Sequence, residues 1–403
     1  MNRKHLFFIA AVFFISTGLF AATSFSGYAG GKLNYSADPE KEDFDPDLKL
    51  QAFFAGQFNF SQNIWSHLEF SIDTSDLLSE SVFHETDSKF QIDEISLICR
   101  ANLYSSANYF SAFMGTYDPI GSDIFLQRYF NIKPINSKIT ESYLGLAGSI
   151  LYPHFGIGIS DVVKLYSAPL AFGGYLYLNH EDENDYVFNA DLRLATVLSY
   201  FTCDYACGLG IPFSDKYKGE DVIFAVDRLY WHTGTTILIG NNFTNALFLQ
   251  AGINNAKFKA KEDSSTLSAD DIYILIEPRF LIGNAHMNLS VYSLPKDTVK
   301  KLLYVEDTLG TDLNVYSEAS ASFSNSITYG SHVSVSFMEK TFMDLKHIEE
   351  LNSDNMNINI TPYFESQFLS GQLHIQGTIR IMDFIRNDVP HAFSLDLGYR
   401  TKF

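Results

Sequence analysis

Apolar and polar residues alternate over long stretches of this chain. In residues 47–60 the even positions Leu48, Leu50, Ala52, Phe54, Gly56, Phe58 and Phe60 are apolar or small, whereas Asp47, Lys49, Gln51, Gln57 and Asn59 occupy odd ones. A period of two puts the two sets on opposite faces of one β-strand. The pattern recurs in residues 186–200, where Tyr186, Phe188, Ala190, Leu192, Leu194, Leu198 and Tyr200 oppose Asn189, Asp191, Arg193 and Ser199. In residues 355–368, Met356, Ile358, Ile360, Phe364 and Phe368 oppose Asn357, Asn359, Thr361, Glu365 and Gln367. In residues 371–382, Leu373, Ile375, Ile379 and Ile381 oppose Gln372, His374, Gln376, Thr378 and Arg380. His67, Glu69 and Asp73 alternate with Leu68, Phe70 and Ile72 in another such strand.

Length decides what these strands build. A soluble sandwich uses strands of about 5–6 residues spaced by frequent turns. A chain that crosses hydrocarbon as β-structure needs tilted strands of about 9–11 residues, closed into a barrel so that no edge amide is left unpaired. The stretches above favour the second architecture: an all-β, antiparallel, up-and-down transmembrane barrel of 16–20 strands, with 18 the best number and an even count required if both termini lie on one side. A mid-strand charge is tolerable if its face lines water. His67, Glu69, Asp73, Asn189, Asp191, Arg193, Asn357, Asn359, Glu365, His374 and Arg380 are therefore the lumen-lining candidates.

Connections fit such a meander. Working back from the C-terminus, residues 383–391 form a loop, Ser370–Gly371 a tight turn and residues 338–354 a longer loop. A first strand near residues 25–35 rises to the acidic loop 38–47, the chain descends to a turn at residues 61–63, and it rises again to residue 73. Residues 117–140, starting GTYDPIGSD, and 255–270 are long connections, while the phase between 150 and 220 reads two ways. Pro362 sits inside a strand with no free edge and demands a bulge or a gap in the donor ladder. Phe342, Leu345, Ile348 and Leu351 have helical spacing, which suggests a short helix within 338–351.

Residues 1–24 carry a basic head (Arg3, Lys4, His5), an apolar stretch from Leu6 to Phe20 and small residues to Ser24. This is the layout of an export signal cleaved near residues 21–24, leaving residues 25–403 as one barrel; the stretch is short for a membrane helix. The 36 Phe and 23 Tyr suit strands, with interfacial girdles accounting for most of the aromatic surplus. With 28 basic against 47 acidic residues the net charge is -19, and -21 once Arg3 and Lys4 are removed. That balance excludes nucleic acid as a partner and hints at cation preference. Cys99 behaves as an apolar-face residue; Cys203 and Cys207 are too far apart on one strand for a disulfide and could pair only across a turn near Asp204. No metal-site spacing occurs and no cofactor is expected.

The last segment, FSLDLGYRTKF, resembles the C-terminal strand of the outer-membrane β-barrels of diderm bacteria. That family's assembly signal is a terminal aromatic with alternate apolar positions upstream; Phe393, Leu395, Leu397, Tyr399 and Phe403 match, and Thr401 departs from it. No subfamily motif is present, although the Phe-, Asn- and Ser-rich, Arg-poor composition is similar to outer-membrane proteins of spirochaetes. The resemblance implies residence in the outer membrane of a Gram-negative-type envelope, contact with its lipid, delivery by periplasmic chaperones and insertion by the barrel-assembly machinery. It leaves a homotrimer open, a state common among porins.

A barrel of this size leaves an aqueous channel unless loops fill it, so the function expected is porin-like: passive diffusion of small hydrophilic solutes or ions. The alternatives are a transporter for hydrophobic substrates, similar to the fatty-acid transporter family but lacking its N-terminal plug and kept alive by an inward Phe53, and a non-conducting surface or adhesin barrel. An enzyme is not expected. His332 and Ser334 share a strand face as in the outer-membrane phospholipases, but no Asn or Glu follows at the family's spacing to orient the ring.

Overall fold

The computed structural model describes residues 24–37, 46–74, 77–78, 88–140, 154–182, 185–213, 229–241, 244–257, 267–299, 302–321, 324–338, 340–346, 355–386, 388 and 390–403. The proposed export signal therefore lies outside the described residues except for Ser24, as do residues 38–45 of the acidic loop. Eighteen strands follow in chain order: β1 (Ser24–Ala37), β2 (Pro46–Asn59), β3 (Ile64–Thr74), β4 (Ser88–Leu103), β5 (Ser106–Thr116), β6 (Phe155–Leu165), β7 (Leu170–Asp182), β8 (Asp185–Leu198), β9 (Phe201–Pro212), β10 (Tyr230–Gly240), β11 (Ala246–Lys257), β12 (Ile272–Ile282), β13 (Ala285–Ser293), β14 (Leu309–Ala321), β15 (Ser324–Phe337), β16 (Met356–Phe368), β17 (Gly371–Arg380) and β18 (Phe393–Lys402). Each pairs antiparallel with its sequence neighbours, and β1 pairs with β18, so the sheet closes on itself.

The closing seam is zipped to the last residue. Gly27 and Phe403 exchange backbone hydrogen bonds of 3.1 and 3.0 Å, and the Phe403 ring stacks on Phe25 and Phe54 at 5.0 and 5.5 Å. The start of β1 and the end of β18 thus lie at one end of the barrel. At that end the strands are joined tightly, as at residues 104–105, 199–200, 283–284 and 369–370, while longer segments such as 117–154, 294–308 and 381–392 leave the other end. One connection breaks this alternation: β7 and β8 close a hairpin at the far end by pairing Asp182 with Asp185. A short connection on the long-loop side is why the phase of residues 150–220 was ambiguous. The turn before β17 uses Leu369 and Ser370, both at positive φ (45° and 65°), as a two-residue primed hairpin requires. Gly371 already pairs with Phe368, so the turn lies one residue earlier than the sequence suggested.

Burial alternates along the strands with apolar side chains outward. In β9, Thr202, Asp204, Ala206 and Gly208 are buried inside, and Phe201, Tyr205 and Leu209 are exposed outside. Cys203 and Cys207 face outward from this single strand as free thiols; no turn exists at Asp204 to bring them together. The outer ends of Phe393, Leu395, Leu397 and Phe403 are likewise exposed, with Tyr399 half-buried in the same outward row. An apolar wall with polar groups turned inward is stable where hydrocarbon surrounds the barrel.

Besides Pro46 and Pro212 at strand ends, two prolines sit in the interiors of described strands, and both are accommodated by the same device. Ile360 pairs with Ile379 and Tyr363 with Gln376 in unchanged register, so the ladder to β17 is interrupted at Thr361–Pro362 without a bulge, while Pro362 still lies opposite Ser331 of β15. Pro278 repeats this in β12, with the β13 ladder missing between Ile276 and Arg279 and pairing to β11 intact. A proline removes one donor and nothing more if the gap faces one neighbour only. Register shifts occur elsewhere, in the pairings β3–β4, β7–β8, β10–β11 and β14–β15; in the first, Glu69 pairs with Glu94 but Phe70 with Ile92, leaving Asp93 of β4 unmatched. The helix expected within 338–351 is a 3-10 turn at Phe342–Lys346; residues 347–354 lie outside the described residues. β17 ends at Arg380, and Ile381 starts a short helix (Ile381–Ile385) instead of prolonging the strand.

Candidate functional site

The interior is shaped by two segments that fold into it from the long-loop end. The first leaves β5 at Thr116. Gly115 has φ +99°, and a Cβ there would lie 2.4 Å from the carbonyl oxygen of bulged Asp93, so only glycine allows this exit. The chain then forms α1 (Ile124–Phe130), which ends where Asn131 adopts a left-handed conformation (φ 53°). Asp123 precedes α1 without capping it; its carboxylate accepts the backbone N–H groups of Ile135 (2.6 Å) and Asn136 (3.0 Å), pinning the far end of the segment to its start. Burial pushes the Asp123 carboxyl up to about 6, against two N–H donors that favour its charged form.

The segment is anchored around the wall. Arg128 bonds Asp118 at 2.7 Å and Glu94 of β4 at 3.0 Å, with its guanidinium over the Tyr117 ring at 4.5 Å. Asp118 also accepts the hydroxyls of Tyr129 (3.1 Å) and Tyr175 of β7 (2.9 Å), and its carbonyl accepts Arg193 of β8. Arg193 is itself paired with Asp204 of β9 and lies 4.3 Å from the Phe125 ring centroid. Further round, Gln250 of β11 donates to the Gly121 carbonyl at 2.7 Å, Ser137 to Glu277 of β12, and Lys138 to Glu365 of β16 at 2.9 Å. These attachments lie on strands across the barrel from one another, so the segment spans the interior. Ile120, Phe125, Leu126, Tyr129, Ile135 and Ile139 are buried there among Phe113, Tyr175, Tyr177, Phe248, Tyr273 and Leu275. Much of the aromatic surplus therefore packs inside the barrel and not at its lipid interfaces.

The second segment, residues 294–308, closes its neck by a Leu294 N–H to Thr308 carbonyl bond of 2.7 Å. It lies along β15–β17. Tyr304 stacks on His332 at 4.0 Å; Glu306 takes Arg380 (2.9 Å to Nε) and the Asn359 amide (2.9 Å); Asp307 takes Ser336 (2.6 Å) and Asn357 (2.8 Å).

The sequence candidates fall into separate groups on the inner face. Asn357, Asn359 and Arg380 meet around Glu306–Asp307, and Glu365 and His374 meet beside Lys138. His67 and Glu69 lie 3.5 Å apart on β3, two pleats from Asp73. On β8, Asn189 donates to Asn179 at 2.8 Å, and Asp191 receives His154 (2.9 Å), His232 (3.0 Å) and the Tyr177 hydroxyl (3.0 Å). Asn189, Asp191 and Arg193 are each 2% exposed or less, buried on the inner face of β8. The residues that shape the interior most, Glu94, Asp118, Arg128, Lys138, Glu277 and Glu306, were not among the candidates. Their only sequence signal is a loop too long and too apolar (IFLQRYF) to be a solvated connection.

Inward side chains that keep contact with solvent gather on β1–β4 and β17–β18: Lys32, Asn34, Lys49, Gln51, Gln57, Gln91, Gln372 and Arg400. Lys32 pairs with Asp396 at 2.8 Å and Lys49 with Asp47 at 3.3 Å, so cations and carboxylates alternate there. The interior is thus divided into a packed half and a polar, wetter half. The His332–Ser334 pair gains a carboxylate from an unexpected side: Asp312 of β14 holds His332 Nδ1 at 2.8 Å. Among the described residues, however, nothing hydrogen-bonds His332 Nε2, so no serine is placed for activation by it.

No family model matches the sequence, and no curated protein matches it. Among solved structures, a mutant of the porin from Rh. blastica is similar over 95% of this chain and 100% of its own, at 8% identity and a TM-score of 0.41. The Salmonella typhi OmpF complex with daunomycin is similar over 94% and 97%, at 11% identity and a TM-score of 0.39. At such values the fold rests on the strand pairing of this chain, not on the likeness.

Proposed function

We propose that the chain is an outer-membrane channel through which small hydrophilic solutes or ions diffuse passively along the polar half of the interior, between the 117–140 segment and the wall of β1–β4 and β17–β18. The observation that carries this reading is the uneven interior. Inward side chains on β6–β12 are mostly sealed against the inward segment, while on β1–β4 and β17–β18 Lys32, Asn34, Lys49, Gln51, Gln57, Gln91, Gln372 and Arg400 keep solvent contact beside buried Glu69, Glu94, Gln376 and Asp396, and opposite charges pair there. An internal segment held by buried ion pairs on several strands is a fixed constriction, since moving it would strand those charges. The charges along the wetter wall nearly cancel, so the acidic excess of the whole chain acts mainly at the mouths and favours cations weakly and in a salt-dependent manner. The buried aromatic cluster is filled by the chain's own Phe125, Leu126 and Tyr129, which argues against a greasy substrate slide. Export, insertion by the barrel-assembly machinery through the Phe393–Phe403 strand and handling by periplasmic chaperones belong to the same proposal.

Channel recording from refolded protein in planar bilayers tests it. Stable steps that grow when residues 119–139 are replaced by a short polar linker support the constriction. Identical steps with and without the segment contradict it.

A further inference from the structure

Several cations of the inner wall pair with a carboxylate: Lys32 with Asp396, Arg193 with Asp204 and Arg380 with Glu306. Two neighbours at the short-turn end do not. Arg100 of β4 lies across from Tyr109 of β5, and Lys164 of β6 lies across from Ala107 of the same strand. Ala107 and Tyr109 are buried between the two cations, which keep partial solvent contact. With neighbouring strands about 4.8 Å apart, the Cα atoms of Arg100 and Lys164 are about 12 Å from each other, within joint reach of two long side chains over the Ala107 methyl. Lys164 Nζ donates to the Tyr129 carbonyl at the end of α1 (2.7 Å) and lies 5.2 Å from the Phe130 ring centroid, so part of its donor capacity remains. The Arg100 guanidinium lies 5.9 Å from the Tyr109 ring centroid, beside the Tyr166 hydroxyl, and its Nε is enclosed with no described hydrogen-bond acceptor.

The carboxylates of the two strands are remote or face away. Glu94 is about 20 Å from Arg100 along β4 and is held by Arg128, while Asp161 of β6 falls in the outward row. The α1 carbonyl accounts for Lys164 alone but not for Arg100. Two like charges set side by side repel each other, and an anion between them removes the repulsion. A guanidinium offers a planar fork of N–H donors matched to phosphate or carboxylate oxygens, and an ammonium adds a compact charge. The position between them carries a methyl group, which leaves room for a guest where a carboxylate would have neutralised the pair. We propose that Arg100 and Lys164 form an anion-binding site at the short-turn mouth of the interior, taking a small oxyanion of the phosphate type. The site is opposite in sign to the chain's net charge of -19. It rests on water reaching this part of the inner face, as in the channel reading, but its test needs no current.

The test is equilibrium dialysis of radiolabelled inorganic phosphate against the refolded, heat-modifiable full chain in uncharged detergent at neutral pH and low ionic strength. Saturable binding is expected. It should weaken at least about tenfold in Arg100→Gln, the loss of one charge-assisted hydrogen-bonding group, and less in Arg100→Lys. Arg400→Gln, which removes a cation of β18 that bonds Gln372, should leave it unchanged. The heat-dependent gel shift shows that each variant is folded. No saturable binding, undiminished binding in Arg100→Gln, or an equal loss in Arg400→Gln overturns the site, the last because it would reveal a diffuse field. A silent channel that binds phosphate leaves the site standing, whereas a conducting one that does not bind it removes the site alone.

Discussion

Asp123 carries the clearest single-residue consequence. Its buried carboxyl titrates near 6, above the ordinary value near 3.9 for an aspartate in an unfolded chain. The neutral form is therefore favoured by folding. Stability from this group is fully present below the unfolded value and is lost as pH rises through about 6, a difference of roughly 3 kcal/mol across the window. Asp123→Asn keeps an oxygen for the Ile135 N–H and removes the charge. Its unfolding midpoint should exceed that of the unsubstituted protein at pH 7.5, and the gap should close by pH 4; a gap independent of pH would show that burial of this charge is not the cause. Arg128 works in the opposite sense. Arg128→Ala would leave Glu94 and Asp118 buried without their cation, at a cost of roughly 3–5 kcal/mol to the anchoring of the segment. Single-channel recordings should then show larger and noisier steps, while Arg128→Lys should restore part of the quiet state because one ion pair can re-form.

At the scale of elements, the strands were legible in the sequence because a period of two survives unless a bulge interrupts it, and the residues of β2, β8 and β16 fell on the faces their polarity implied. The inward segments were not legible. Nothing in the spacing of Glu94, Arg128, Glu277 and Glu365 reveals that a loop from β5 connects β4, β12 and β16, since those partners are brought together by barrel closure alone. The same holds for Asp312 beside His332, which sits on the neighbouring strand and not downstream. Pro362 posed a dilemma that Pro278 helps to resolve, because both omit a few rungs to one neighbour and keep register on each side. The division of the interior is testable by cysteine scanning in a C99S/C203S/C207S background. Gln51→Cys and Gln91→Cys should react with a charged, water-soluble thiol reagent and lower the conductance, whereas Thr236→Cys on the packed side should stay protected. Equal reactivity at all three positions would mean that water reaches both halves.

Over the whole molecule, the aromatic residues and the acidic excess acquire separate roles. Phe25, Phe54 and Phe403 seal the seam from outside, while Tyr117, Tyr129, Tyr175 and Tyr177 fill the interior beside the segment and give their hydroxyls to Asp118, Ser111 and Asp191. A barrel wide enough for open water is thereby narrowed by its own chain, so conductance should fall well below that of an unobstructed 18-strand cylinder. The central claim is that a water path remains. The most direct measurement is single-channel current through the refolded, heat-modifiable protein in a planar bilayer at neutral pH. Stable ohmic steps with weak cation preference that fades as salt is raised are expected; persistent electrical silence from protein shown to be folded and inserted would mean that no water path crosses the barrel.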